Sequence, residues 1–165
     1  KLSKSTITLE FDPSTFRYPS FPYPYFEMEP CDRFWQKFRH YPTIPNGSCM
    51  FQALSFGYND NPKYWKKFIK RKMLRKVQKL TMPEKMVVYG LRDEREIISK
   101  HTEVVQVLQD DQGWGFLDHL NLFERFFNAS VWVWSRVRDS FQVTRKPQID
   151  NMDSVPKLIH LLHDG

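Results

Sequence analysis

Cys49 stands in the run Asn46-Gly47-Ser48-Cys49-Met50-Phe51, and Gln52-Ala53-Leu54-Ser55 continues as the start of a helix. A cysteine placed after a glycine-containing turn and before an amphipathic helix meets main-chain N–H groups that have no acceptor within the helix, at the positive end of the helix dipole. Both conditions favour a thiolate, the form of cysteine that attacks carbonyl carbon or binds metal. Cys49 is therefore the candidate nucleophile. Cys31, in the context Pro30-Cys31-Asp32, has no such setting and reads as inert packing, the usual fate of an isolated cysteine. With two cysteines, no Cys-x-x-Cys pair and no His and Cys cluster at zinc spacing, the sequence implies no metal and no cofactor. A disulfide framework would need more cysteines, so a reducing, intracellular setting, cytoplasm or nucleus, is expected.

The formal charge of +6 raises the question of a polyanionic partner, and the position of the charge matters more than its sum. No acidic residue lies between Asp60 and Glu84, whereas Lys63, Lys66, Lys67, Lys70, Arg71, Lys72, Arg75, Lys76 and Lys79 are all basic. Trp65, Phe68, Ile69, Met73, Val77 and Leu80 recur at helical spacing through the same stretch. Residues 62–80 are thus predicted to form one amphipathic helix with a basic outer face. Such a face is either solvated surface or a dock for an acidic or nucleic-acid partner at Lys63, Lys67, Lys70 and Arg71.

The elements around these residues can be read by period and punctuation. Seven of the eleven prolines fall in the first 45 residues, interleaved with Phe16, Tyr18, Phe21, Tyr23, Tyr25 and Phe26. Closely spaced proline favours extended chain, and so many aromatics argue against free solvation, so residues 1–45 read as an extended arm. That arm is expected to pack on the domain, or on a protein partner through residues 11–45. Within it, residues 32–40 read as a short helix with Phe34, Trp35 and Phe38 inward. Residues 46–165 form the domain proper. A helix is predicted over 92–108, with Ile97, His101, Val104 and Leu108 on one apolar stripe, Ile98 and Val105 beside it, and His101 a structural histidine. Trp114-Gly115 precedes a helix over 116–128 with Phe116, Leu120, Phe123 and Phe127 inward. Strands follow at 130–135, 141–144 and 158–163, and Asp164-Gly165 reads as a hairpin turn. No apolar run reaches the ~20 residues of a membrane span. Helices first and strands last point to a layered α/β (α+β) domain with a small central sheet between helical layers. The start at Lys1 and the end at Gly165 read as the limits of a segment cut from a longer protein.

Three blocks, taken in order, resemble the ovarian-tumour-type (OTU) cysteine proteases. The run from Asn46 to Leu54 resembles the family's nucleophile motif. Trp114-Gly115, with Leu120, Phe123 and Val131-Trp132-Val133 after it, resembles its Trp-Gly, helix and strand segment. Lys157-Leu158-Ile159-His160-Leu161-Leu162-His163-Asp164-Gly165 is similar to the strand and turn that run into the family's catalytic histidine.

The resemblance implies a papain-like OTU fold and a thiol mechanism. A histidine would take the proton of Cys49, and the thiolate would attack the isopeptide or peptide carbonyl that joins ubiquitin or a ubiquitin-like modifier to its carrier. The main-chain N–H groups of Gly47, Ser48 and Cys49 would hold the oxyanion. Trp114 and Gly115 would line a channel for the narrow carboxyl end of the substrate. Asn46 stands where the family has aspartate; it keeps hydrogen-bonding capacity without a negative charge and would support the turn or the oxyanion. By register the base falls about two residues beyond Gly165, and within the chain His163 is the nearest substitute, while His160 alternates onto the opposite face of its strand. Two other functions remain open: a catalytically inactive OTU-like scaffold, and a nucleic-acid-associated domain of a viral or mobile-element polyprotein acting through residues 62–80.

Overall fold

A computed structural model describes residues 5–11, 28–41, 43, 47–59, 66–148 and 157–164. Its sheet is built from six strands: β1 (Ser5–Phe11), β2 (Met28–Pro30), β3 (Phe38–Tyr41), β4 (Ala129–Val137), β5 (Ser140–Arg145) and β6 (Lys157–Asp164). They lie in the order β2-β5-β4-β6-β1-β3. The pairing of β4 with β6 is parallel, with Val131 opposite Ile159 and Ser135 opposite His163, and every other pairing is antiparallel. Six helices complete the described fold: α1 (Cys31–Lys37), α2 (Cys49–Asn59), α3 (Lys66–Val77), α4 (Met82–Tyr89), α5 (Glu94–Gln109) and α6 (Leu117–Phe127). The class is α+β.

Strand alternation sorts side chains onto two faces. Ala129 and Val131 of β4, with Ile159 and Leu161 of β6, enter the larger core. There they meet Phe51, Ala53 and Leu54 of α2, Ile69, Met73 and Val77 of α3, and the buried stripes of α4, α5 and α6. Trp134 and Leu162 face the other way, into a smaller core with Phe34 of α1, Phe38 and Phe141. Phe34 stacks on Phe141 at a ring separation of 4.1 Å. Helices thus cover both faces of the sheet, five on one side and α1 on the other.

The helix ends follow from local chemistry. Asp93 caps α5 by accepting from the N–H groups of Arg95 and Glu96. Thr81 and Glu84 form a capping box at the start of α4, which Gly90 closes in the left-handed conformation at φ 64°. α4 has no counterpart among the elements expected from the sequence. The other helices and the three late strands lie where the apolar periods put them, with four corrections. Trp35, expected inward, is 42% exposed and meets Phe141 of β5 only edge-on, whereas Phe34 is fully buried; Phe38, expected in that helix, is the first residue of β3 and is buried. Ile98, expected beside the α5 stripe, is 53% exposed. The helix after Cys49 begins at Cys49 itself. The prolines and aromatics of residues 13–26, residues 62–65 of the basic segment, and Gly165 of the expected hairpin turn lie outside the described residues.

Candidate active site

Topology brings the motif residues to one end of the sheet. β3 is antiparallel to β1, and β1 is antiparallel to β6, so β3 and β6 run the same way. Tyr41 ends β3 at the level of Thr8, itself opposite Leu161, so the chain leaves the sheet toward the end where β6 reaches His163. Eight positions later α2 begins and packs back across β1 and β6. The loop before α6 returns to this end too, because α6 precedes β4 and β4 is parallel to β6. Carboxyl ends of parallel strands are where open α/β sheets build their crevices.

Cys49 is the first residue of α2 and is 3% exposed. Neither Cys49 nor Cys31 is in a disulfide. The carbonyl of Ser48 accepts the first helical bond, from Gln52 N at 3.1 Å. Ser48 is fully buried, and its Oγ donates to the carbonyl of Asp111. Gly47 lies directly under the same loop: a Cβ there would overlap the Gln112 carbonyl. Gly115 packs as closely on α2, where a Cβ would collide with Met50 Cε and come within 2.9 Å of the Phe51 ring. The two motif blocks, more than sixty positions apart in sequence, are therefore in direct contact, and at Gly47, where the opposing atoms are backbone, only glycine fits without displacing the loop. Trp114, between them, is 47% exposed at the surface of this contact.

Two residues that hold the loop were misread or missed in the sequence. Lys70 was assigned to the outer basic face, yet it is 2% exposed. Its Nζ donates to the carbonyls of Asp110 at 2.6 Å and Gly113 at 3.1 Å and lies 4.8 Å from the centre of the Phe51 ring. The signal was in the spacing, since Lys70 precedes the buried Met73 by three and Val77 by seven. His119, fully buried, holds the other end: its Nδ1 accepts from Phe116 N at 3.1 Å, and its Nε2 faces the Val104 carbonyl at 3.2 Å. Burial pushes its pKa down to about 4. It is a neutral connector between α5 and α6, on the same inward stripe as Phe123.

His163 is half-buried, opposite Thr6 on β1 and Ser135 on β4. By alternation with Ile159 and Leu161 it stands on the α2 face of the sheet. His160 points to the other face, where its Nδ1 accepts from Trp134 Nε1 at 3.1 Å and burial pushes its pKa down to about 3. His101, read as structural, is half-buried and bonded through Nδ1 to Tyr89 Oη at 2.8 Å. Asn46 lies outside the described residues. Of the four cations proposed for a partner, Arg71 is exposed, Lys70 turns inward, and Lys63 and the side chain of Lys67 are outside the described set. Among the described residues no His, Cys, Asp and Glu cluster is arranged to hold a metal ion, and no helix is long and apolar enough to cross a membrane.

No protein-family model matches the chain, and no curated protein does. Among solved structures, the viral OTU domain protease from Qalyub virus is similar at a TM-score of 0.43 and 19% identity. The match covers 61% of this chain and 62% of that one, less than two thirds of the protease's length.

Proposed function

We propose that this chain carries an OTU-type cysteine protease site that removes ubiquitin or a ubiquitin-like modifier through Cys49. The observation that supports it most is the contact of the Gly47-Ser48 turn with Asp111 and Gln112 and of Gly115 with Met50 and Phe51, which joins two of the three sequence blocks at the carboxyl end of parallel strands. In this reading the Cys49 Sγ proton passes to an imidazole, and the thiolate attacks the carbonyl carbon of the scissile bond. The carbonyl oxygen gains the negative charge and is met by the N–H groups of Gly47, Ser48 and Cys49. The imidazolium returns its proton to the leaving amine, and water then hydrolyses the thioester. His163 is the base candidate within the chain, half-buried on the α2 face; Asn46 supports the turn, and Trp114 and Gly115 border the channel.

A second reading, an inactive OTU-like module that binds the modifier without cleaving it, is favoured by the burial of Cys49. One experiment separates the two. Ubiquitin bearing an electrophilic carboxyl terminus is expected to form a covalent adduct, with Cys49→Ala abolishing it and Cys31→Ala leaving it intact. Reversible binding with no adduct on Cys49 would establish the scaffold and overturn the protease.

A further inference from the structure

Four successive carbonyls of residues 110–113 are turned toward α2 and α3. Those of Asp110 and Gly113 accept from Lys70 Nζ, that of Asp111 accepts from Ser48 Oγ, and that of Gln112 covers Gly47. A buried ammonium is retained only where acceptors repay its lost hydration, and two of them here belong to one loop. The Phe51 ring under Nζ adds a cation–π contact from the helix that begins with Cys49. Lys70 therefore touches both partners of the motif contact: the loop through two bonds, and α2 through Phe51.

We propose that Lys70 is a positioning residue that clamps residues 110–113 onto the Gly47-Ser48 turn. It thereby fixes the first turn of α2, keeps Cys49 covered until substrate enters, and seats Trp114 beside it. The proposal rests on the reading of Cys49 as the nucleophile for its catalytic consequence, but the clamp is a mechanical claim that can be tested without any activity. Removing the ammonium takes a donor from the Asp110 carbonyl, which keeps the Gly113 N–H, and from the Gly113 carbonyl, and so loosens the loop. The rest of α3 stays anchored by Ile69, Met73 and Val77.

Lys70→Met is expected to speed amide exchange over 111–116 by about tenfold or more while the interiors of α5 and α6 keep their protection, the signature of local rather than global opening. Alkylation of Cys49 by iodoacetamide rises, because the cover is loosened. Adduct formation with the ubiquitin electrophile at saturating probe falls, because the turn is no longer set. Lys70→Arg, which keeps a cation and N–H donors, restores part of both. Opposite signs for the small and the large electrophile are not produced by simple destabilisation. Should Lys70→Met fail to fold, Lys70→Gln serves in its place, and the wild-type protein gives an independent reading: acetylation of Lys70 by an N-hydroxysuccinimide ester should keep pace with exchange at 111–113. Acetylation as fast as at exposed Lys79, or exchange over 111–116 unchanged in the variants, overturns the clamp. Failure of the wild type to label with ubiquitin overturns the protease instead and leaves the exchange and acetylation results intact.

Discussion

At Gly47 the main chain approaches a second backbone so closely that no side chain fits between them. The opposing atoms are those of Gln112, a backbone segment that cannot rotate away as a flexible side chain would. Gly47→Ala should therefore displace the loop, cost about 2 kcal/mol or more of stability by overpacking, and loosen the Ser48 to Asp111 bond. Urea unfolding of the variant checks it, and a loss below about 0.5 kcal/mol, the ordinary level for surface changes, would show the contact to be relaxed. The same neighbourhood shows what one sequence can reveal. Cys49, Gly47 and Trp114-Gly115 were legible because type and spacing sufficed. Lys70 and His119 are ambiguous in sequence because a charged or polar residue on an apolar stripe has two fates, and the choice depends on its partners: loop carbonyls forty residues on for Lys70, the Phe116 N–H and the Val104 carbonyl for His119. Once the loop carbonyls are in place, burial of Lys70 is the cheaper arrangement.

Elements were easiest to read where their contacts are local. The stripes of α5 and α6 and the alternation of β4 announce themselves within a dozen residues. The capping signals of α4, Thr81, Pro83, Glu84 and Gly90, were present but overshadowed by the basic run before them. β1 carries a strand period, Ile7, Leu9 and Phe11 alternating with Thr6, Thr8 and Glu10, but its partner β6 lies some 150 positions away and no local period fixes that register. Where α6 meets β4 and β5, a buried ion pair fastens the three. Glu124 Oε1 receives Arg145 Nη2 at 2.7 Å and its Oε2 receives Val131 N at 2.7 Å; Arg145 Nη1 donates to the Val131 carbonyl at 2.6 Å, beside the register shift at Val133 and Trp134. Removing one partner strands the other charge in the core, so Glu124→Ala is expected to cost about 3–5 kcal/mol. Glu124→Leu combined with Arg145→Leu should recover much of that loss, because neither charge then remains to be solvated. A double-mutant cycle in urea gives the coupling, and a value near zero would mean that the pair is solvated and that α6 is held by packing alone.

On the scale of the whole molecule, two neutral histidines tie the two cores to pH. His119 joins α5 to α6 in the larger core, and His160 accepts the Trp134 indole N–H in the smaller one. Burial holds them at about 4 and about 3, both below the 6.5 of a free imidazole. As pH falls through 6.5 the unfolded chain takes up protons at His119 and His160 that the folded chain still refuses, and burial lowers His101 in the same direction. Stability is therefore complete above that pH, declines as pH drops toward 4, and loses its last contribution near 3. For His119 alone the gap corresponds to on the order of 3 kcal/mol, a large part of the ~5–15 kcal/mol that holds a domain of this size together. Ordinary carboxylates take up protons mainly below about 4.5, so the interval between pH 6.5 and 4.5 isolates the histidines. Urea midpoints should fall steadily across it. His160→Gln, which keeps an acceptor for Trp134 and cannot be protonated, should flatten the decline, and an unchanged slope would mean that His160 is solvated and charged in the folded protein. The loop that packs on the Gly47-Ser48 turn is anchored at Phe116 by His119, so opening of residues 110–116 should begin within the same acid range, ahead of global unfolding, and exchange measured at pH 5 should report it there first.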